Sequence, residues 1–477
     1  MKEKKTLSRL IQRGEELTLW QRLRLTARLS VPAIVAQISA VVMEYIDASM
    51  VGSLGASASA SIGIVTTSTW LFMGLCSSAA TGFSVQVAHL LGASQPGKAR
   101  EVLRQALTAT LVFSLMLALA GGAVSGPLPR LLGGDEEIHA AASQYFLIFT
   151  LTLPALQLYS LAGGMLRCSG NMLLPGVTGA VMCLLDVVFN FFLIFPTREL
   201  TFAGMSLTMP GAGLGVAGAA TGTASAGAVG ALFLLFHLWR KPSELCLKGE
   251  RGSFMPRAAT VRRAFTIALP MGVERFVTSA AQITLTIIVA PLGNCAIAAN
   301  AFAVTAEGLC YMPGYGIGEA ATTLIGQSLG AGKKRLAQQF AYITVATGMT
   351  VMTVMGAVMY LLAPAMIGFM TPDPEILALG TSALRIEAFA EPMFAAAIVC
   401  YGVFVGAGDT LVPCIFNLGS MWIVRITLAA LLAPVYGLQG VWLAMAVELC
   451  CRGMLFLGRL RSGRWMDRIE KLKITAI

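Results

Sequence analysis

Charge is scarce in this sequence. Asp, Glu, Lys and Arg make up 12% of its 477 residues, against 56% hydrophobic residues, whereas a soluble domain carries roughly 25% charge. That shortage excludes a well-solvated globular fold. Histidine is scarcer still: His89, His139 and His237 are the three present and stand far apart, and the ten cysteines are scattered without zinc or disulfide spacing. No metal centre or cofactor is expected. No GxxxxGK[ST] run is present, so this chain carries no P-loop ATPase. Residues 1–28 are polar and basic and lack the apolar core of a cleavable signal. Paired carboxylates in a soluble domain are missing because no soluble domain is. The chain is therefore not expected to be an enzyme, and a membrane-embedded transferase, which would need His or carboxylate clusters beside such a domain, is disfavoured.

What fills the chain instead is long apolar runs, such as 105–129 and 343–367. A bilayer core of about 30 Å takes about 20 apolar residues in a helix, and backbone groups in lipid must be satisfied within the segment. Spans are predicted near 29–54, 59–90, 101–126, 138–167, 172–196, 213–239, 264–292, 297–327, 336–362, 376–405, 411–433 and 437–458. This is an all-α membrane protein of twelve transmembrane helices.

The net charge of +10 raises the question of nucleic acid, and its placement answers it. With the amino terminus inside, 28 of the 34 Lys and Arg fall in inner segments, while Arg130 and Arg198 fall outside. The outer loops carry Asp135, Glu136, Glu137, Asp373 and Glu375. The bias toward inner loops sets orientation. It places both termini in the cytoplasm, with the bilayer as partner and no nucleic acid. Residues 6–28 read equally well as an amphipathic helix on the inner leaflet or as a solvated tail.

The halves repeat at an offset of 238. Pro32 meets Pro270, Leu54-Gly55 meets Leu292-Gly293, and Leu91-Gly92-Ala93 meets Leu329-Gly330-Ala331. Pro154, Gly170, Pro175 and Pro196 meet Pro392, Gly408, Pro413 and Pro434. After Pro196 the first half carries a 16-residue insertion, and Gly215 and Gly218 then meet Gly437 and Gly440. Six spans per half make the repeats parallel. The expected layout is a basic segment 1–28, a first lobe 29–239, a linker 240–263, a second lobe 264–458 and a basic tail 459–477. Duplicated bundles enclose a cavity at their interface, and rocking them gives alternating access. The glycines at the inner ends of the second and eighth spans would permit left-handed helix stops, and the prolines inside spans would bend them.

An ionised side chain at mid-bilayer costs roughly 2.5–3.5 kcal/mol on insertion scales, so each is a candidate. In the first half Asp47, Asp186, Asn190 and Thr223 share one depth, counting about 1.5 Å per residue from the outer helix ends. Hard oxygen ligands suit Na⁺ and burial suits proton exchange. The other account is hydrogen bonding that locks helices together. Gln37 and Glu44 are further polar candidates, as are Glu274, Glu391 and Arg425 in the second half. There, interhelical pairing of Arg425 with Glu391 or Glu448 competes with substrate contact, and Glu274 could meet a cationic substrate.

The stretch P32AIVAQISAVVMEYIDASMVGSLGASASA resembles the first helix of the multidrug and toxic compound extrusion (MATE) transporters. P270MGVERFVTSAAQ, G326QSLGAGKKR, V424R425 and G218AATGT are similar to that family too. The resemblance covers residues 20–465. It implies two lobes in a V and a monomeric, cation-coupled antiporter, using H⁺ or Na⁺, that expels drug-like or cationic amphipathic molecules. It implies that Asp47 is the coupling acid, Pro32 the hinge, and Asp186, Asn190 and Thr223 its partners. The order Asp186 then Asn190 reverses the family pattern, Thr278 stands where some members carry a second-lobe Glu, and the whole leans toward the DinF-like or general bacterial branch. A lipid-linked precursor flippase shares the architecture, but it would need a wide cationic cavity.

Overall fold

The computed structural model describes residues 7–12, 17–202, 205–241, 243–249 and 252–472. Helix α1 runs Leu19–Gly52, α2 Ala56–Gly92, α3 Pro96–Ser125, α4 Glu136–Cys168 and α5 Leu173–Ile194. A hairpin, β1 (Pro196–Phe202) and β2 (Met205–Ala212), leads to α6, Val216–Arg240. The second half has α7 (Ala258–Val289), α8 (Asn294–Gly330) and α9 (Lys334–Met370). Its α10 has two arms, Pro374–Ala388 and Glu391–Gly406, bent by 59°. Among the described residues ten helices are long and apolar enough to cross a membrane, and the bent pair makes an eleventh. The twelfth is contained in the 52-residue run Leu411–Ser462. Gly437, at φ 59° and ψ −140°, breaks that run into α11 (411–436) and α12 (438–462).

The matched glycines have a common cause. Gly55 and Gly293, Gly170 and Gly408, and Gly215 and Gly437 all hold positive φ, a conformation in which a Cβ clashes. Each pair occupies the same turn in the two halves. Gly92 and Gly330 correct the expectation set for them. They are helical, and the left-handed residues lie two positions on, at Ser94 and Gly332. What they permit is close approach between lobes: a Cβ on Gly92 would lie 2.1 Å from the Gln327 carbonyl oxygen, and one on Gly330 2.1 Å from that of His89.

Segment boundaries differ from those expected. Helix α1 begins ten residues before position 29, because Thr18 and Gln21 form a reciprocal capping box that closes two orphan donors. Of the two readings of 6–28, one continuous helix is ruled out, since Leu17 and Thr18 stand outside any helix. A short helix Leu7–Gln12 precedes α1, and its Leu7 and Ile11 are buried against residues of both lobes. Helix α7 starts at Ala258, inside the expected linker. The carboxy-terminal segment is folded back: Trp465 is fully buried, and Lys334 reaches Asp467 at 3.0 Å and Glu470 at 2.8 Å. The insertion forms the antiparallel hairpin, irregular between Pro196 and Arg198, the sole β-structure among the described residues.

Where the helix ends carry most of the basic residues, the two halves pack into shared cores. Leu29 and Met172 lie with Ile317, Leu324 and Phe404, while Phe83 and Leu103 lie with Ala264 and Val405. Polar bonds cross the same seam: Gln327 Nε2 donates to the Cys168 carbonyl at 2.7 Å, Thr323 to that of Arg167 at 3.1 Å, and His89 Nε2 meets the Gly406 oxygen at 2.8 Å. Because Gly330 abuts backbone rather than a movable side chain, Gly330→Ala should cost about 1–3 kcal/mol of interlobe packing. The expected readouts are a lower melting temperature in detergent and faster alkylation of Cys168. Gly458→Ala, where nothing lies within 4 Å, should change neither.

Candidate functional site

The depth argument places Asp47 of α1, Asp186 and Asn190 of α5 and Thr223 of α6 together, and the structure puts them in contact. Asn190 Nδ2 donates to Asp47 Oδ1 at 2.7 Å and to Asp186 Oδ2 at 3.2 Å. The shared amide brings the two carboxyl groups together, and Thr223 stands beside Asp186. Thr223's hydroxyl donates to the Ala219 carbonyl at 3.2 Å. Asp186 and Asn190 are fully buried and Asp47 half-buried. Asp186 Oδ1 and Asn190 Oδ1 are buried without a hydrogen-bond partner.

Local packing makes this seat. Asp186 and Asn190 stand one turn apart and share a helix face. Helix α6 closes over them through glycine: a Cβ on Gly222 would sit 1.9 Å from Asn190 Oδ1, and one on Gly218 2.5 Å from the Leu193 oxygen. Near the basic end, α5 meets α1 at Gly176, whose Cβ would lie 2.7 Å from the Pro32 carbonyl oxygen. Pro32 lies inside α1, where it donates no backbone hydrogen bond. Two carboxylates on one amide repel each other, and a shared proton or a bridging cation would relieve that repulsion. Among the described residues no three His, Cys, Asp or Glu converge as a metal cage. The donors are two carboxylates, an amide oxygen and a hydroxyl, a set that fits a proton or a single alkali cation.

The remaining candidates fall in other places. Glu44 is exposed, one turn before Asp47, and within electrostatic reach of Tyr311 on α8. Gln37 donates to Glu319 Oε1 at 3.3 Å, across the lobe boundary. Glu274 accepts from Tyr401 at 2.9 Å and Asn417 at 2.6 Å, one neutral donor on each oxygen. Arg425 lies in a π-helical stretch, Ser420–Ile426, and its guanidinium contacts the Met445 sulfur. It forms no ion pair with Glu391 or Glu448 among the described residues, because Glu448 is taken bidentately by Arg452, one turn away on its own helix, at 2.7 Å. Glu391 and Glu387 are fully buried with both carboxylate oxygens of each unpartnered.

Several residues went unread in the sequence. Glu307 is buried in α8 close to Glu387, Glu391 and Arg425. Glu319, also in α8, faces Arg167 of α4 at 3.6 Å. Both acids fall inside the eighth predicted span, so the same cost argument that selected Asp47 would have found them. A cavity of about 290 Å³ lies between the lobes beside this pair. Its wall includes Arg167, Glu274, Arg275, Glu319, Tyr401 and Arg452.

Two lobes, a buried acid pair in one and a charged cavity between them define a membrane transporter, and not an enzyme. The chain belongs to the MatE family, whose model matches residues 32–192 and 270–431. The two matches begin one repeat apart. The chain is 28% identical to a probable multidrug resistance protein NorM of Pseudomonas aeruginosa, covering 95% of this chain and 93% of the relative. Against the NorM of Thermotoga maritima it is 24% identical, with 92% of each covered. Among solved structures, an outward-facing MATE family transporter of the MOP superfamily superposes at TM-score 0.86 and 19% identity, over 99% of this chain and all of that one. The Vibrio cholerae MATE transporter VcmN in its bent form gives 0.83 at 18%, over 96% and 99%.

The seat of Asn190 can be tested through α6. Gly222→Ala should displace the Asn190 amide and remove its bond to Asp47, a loss of about 1.5–3 kcal/mol for a bond to a charged group. Transport should fall toward that of Asp47→Asn, while Gly63→Ala, facing open space, should not reduce it. Normal transport by folded Gly222→Ala would show that this bond is dispensable.

Proposed function

We propose that the protein is an antiporter that exports drug-like amphipathic molecules, driven by H⁺ or Na⁺ taken up at Asp47, Asp186 and Asn190 in the bacterial inner membrane. The observation that carries this reading is the pair of carboxyl groups held on one Asn190 amide, with Asp186 and Asn190 wholly buried. One positive charge resolves the repulsion between them, so binding and release of that charge changes how α1 is held against α5. The names of the relatives, multidrug resistance proteins NorM and PmpM, support export of drugs. The charge distribution along the chain supports the basic face, and with it both termini, lying in the cytoplasm. Each charge moving inward through 100 mV supplies about 2.3 kcal/mol, enough for a gradient of roughly 50-fold at 1.4 kcal/mol per tenfold.

A second ion locus has its own support. Glu387 and Glu391 carry four unpartnered oxygens at zero exposure, with Glu307 beside them and Arg425 the nearest cation in electrostatic reach. On this reading both lobes bind a cation.

Efflux of a fluorescent organic dye from proteoliposomes, with pH and Na⁺ gradients imposed in turn, tests both. Asp47→Asn should lower gradient-driven transport at least about tenfold, the effect of 1.4 kcal/mol, with unchanged elution and melting. Glu391→Gln should lower it only if the second locus participates. Full gradient-driven transport by Asp47→Asn would remove that residue from the mechanism, and the responding gradient would name the ion.

A further inference from the structure

The carboxy-terminal end of α12 carries more basic charge than its acids balance. Gly463, at φ 69°, stops the helix in the left-handed conformation. The chain then turns into a 3₁₀ segment, Arg464–Asp467, whose Trp465 is fully buried. That turn sets Arg464 at the mouth of a cleft of about 580 Å³ between α11 and α12. Phe416 of α11 and Cys451, Met454, Leu455 and Gly458 of α12 line its apolar length. Met454 and Leu455 are exposed, so the cleft opens outward from the bundle, and a Cβ on Gly458 would meet nothing within 4 Å. The cations at the rim are unequally matched. Arg459 is held by Asp409. The acids of the tail, Asp467 and Glu470, are both taken by Lys334 at 3.0 and 2.8 Å. Arg464 and Arg461 are exposed, and among the described residues no carboxylate lies within 4.0 Å of either.

We infer that this cleft binds one anionic phospholipid, whose acyl chain lies along Met454, Leu455 and Gly458 while its phosphate pairs with the guanidinium of Arg464. A phosphodiester has two unesterified oxygens, which a planar guanidinium meets bidentately. A zwitterionic lipid carries the same phosphate with an ammonium group beside it. To that ammonium the cleft offers Arg461 and Arg464 and, among the described residues, no open carboxylate, because Asp409, Asp467 and Glu470 are taken by Arg459 and Lys334. A basic cluster just past a membrane helix draws anionic lipid for the same reason. The apolar cleft adds what a charged rim lacks, a seat for one chain. It shares no lining residue with the cavity between the lobes. On the orientation proposed above the lipid belongs to the inner leaflet, and its binding does not depend on that reading.

Native mass spectrometry of the detergent-purified full chain, titrated with phosphatidylglycerol or phosphatidylcholine of identical chains, reads the first bound lipid of each kind. Phosphatidylglycerol should bind at least about fivefold more tightly, the effect of one basic residue facing an anionic lipid. Arg464→Gln should remove most of that preference, and Arg464→Gln combined with Arg461→Gln all of it. Arg240→Gln, also at the basic face but over the Phe236 ring of the first lobe at 5.2 Å, should keep it in full. Gly458→Phe fills the cleft from a position that faces open space, and should weaken phosphatidylglycerol binding at least about tenfold through lost apolar contact with the chain. Unchanged elution and melting check that each variant is folded. Equal binding of the two lipids by the unmodified protein would overturn the assignment. So would a preference that survives the double substitution or falls equally in Arg240→Gln, or phosphatidylglycerol binding indifferent to Gly458→Phe. The measurement uses no gradient, so a failure of the unmodified protein to move dye would remove the antiport reading and leave this site standing.

Discussion

One amide between two acids is the constraint on which the first lobe is built. Asn190 has two amide hydrogens, and both Asp47 and Asp186 lie within their range. The arrangement is held from three sides: α1 brings Asp47, α5 brings Asp186 and Asn190, and α6 brings Gly222, beside which a larger residue could not fit. A buried pair of like charges is costly when unmatched. The structure leaves an oxygen on Asp186 and one on Asn190 without partners. On the reading proposed above, those oxygens are where an ion would be bound and released.

The duplication repeats the backbone and departs in the chemistry. Paired glycines at positive φ recur in the same turns of the two lobes, and the Gly92 and Gly330 crossings are near mirror images, each abutting the other lobe's carbonyl. Polar side chains obey no such rule. At the offset of 238, Asp47 meets Leu285, Asp186 meets Val424 and Asn190 meets Leu428. The second lobe instead buries Glu307, Glu387, Glu391 and Glu448 around Arg425 and Arg452. Equal backbones let both lobes meet on a common seam, while the buried polar side chains differ between them.

This division explains what the sequence disclosed. Spans, repeat and fold were legible because lipid imposes a length and a polarity on each helix, and because a glycine forced by φ cannot drift. The N-lobe cluster was legible because depth along straight helices can be counted from their ends. The second lobe was not. Its α10 bends by 59° and its α11 has a π-helical stretch, so residue counting no longer gives depth or facing, and Arg425 went to Met445 rather than to the expected glutamates. The central cavity was least legible. Arg167 counts as a helix-end cation in the linear chain, yet it faces Glu319 in the other lobe, a contact with no local signature. The capping box at Thr18 is written locally as Thr-x-x-Gln.

Helix α1 links these regions in one piece. Gln37, bonded to Glu319 at the cavity, and Asp47, bonded to Asn190 in the first lobe, are ten residues apart, about 15 Å along a helix. Tyr45 between them donates to the Thr305 carbonyl of α8 at 2.9 Å. One helix thus touches the acid pair of the first lobe, the second lobe and the charged cavity wall. On the reading proposed above, any ion that alters how Asp47 is held must move a helix that also grips Glu319. Pro32, on the basic side of all three contacts, lacks the backbone bond that would resist such a motion. Coupling between ion and substrate then needs no chain of side chains between the sites, because both act on the two ends of the same rod.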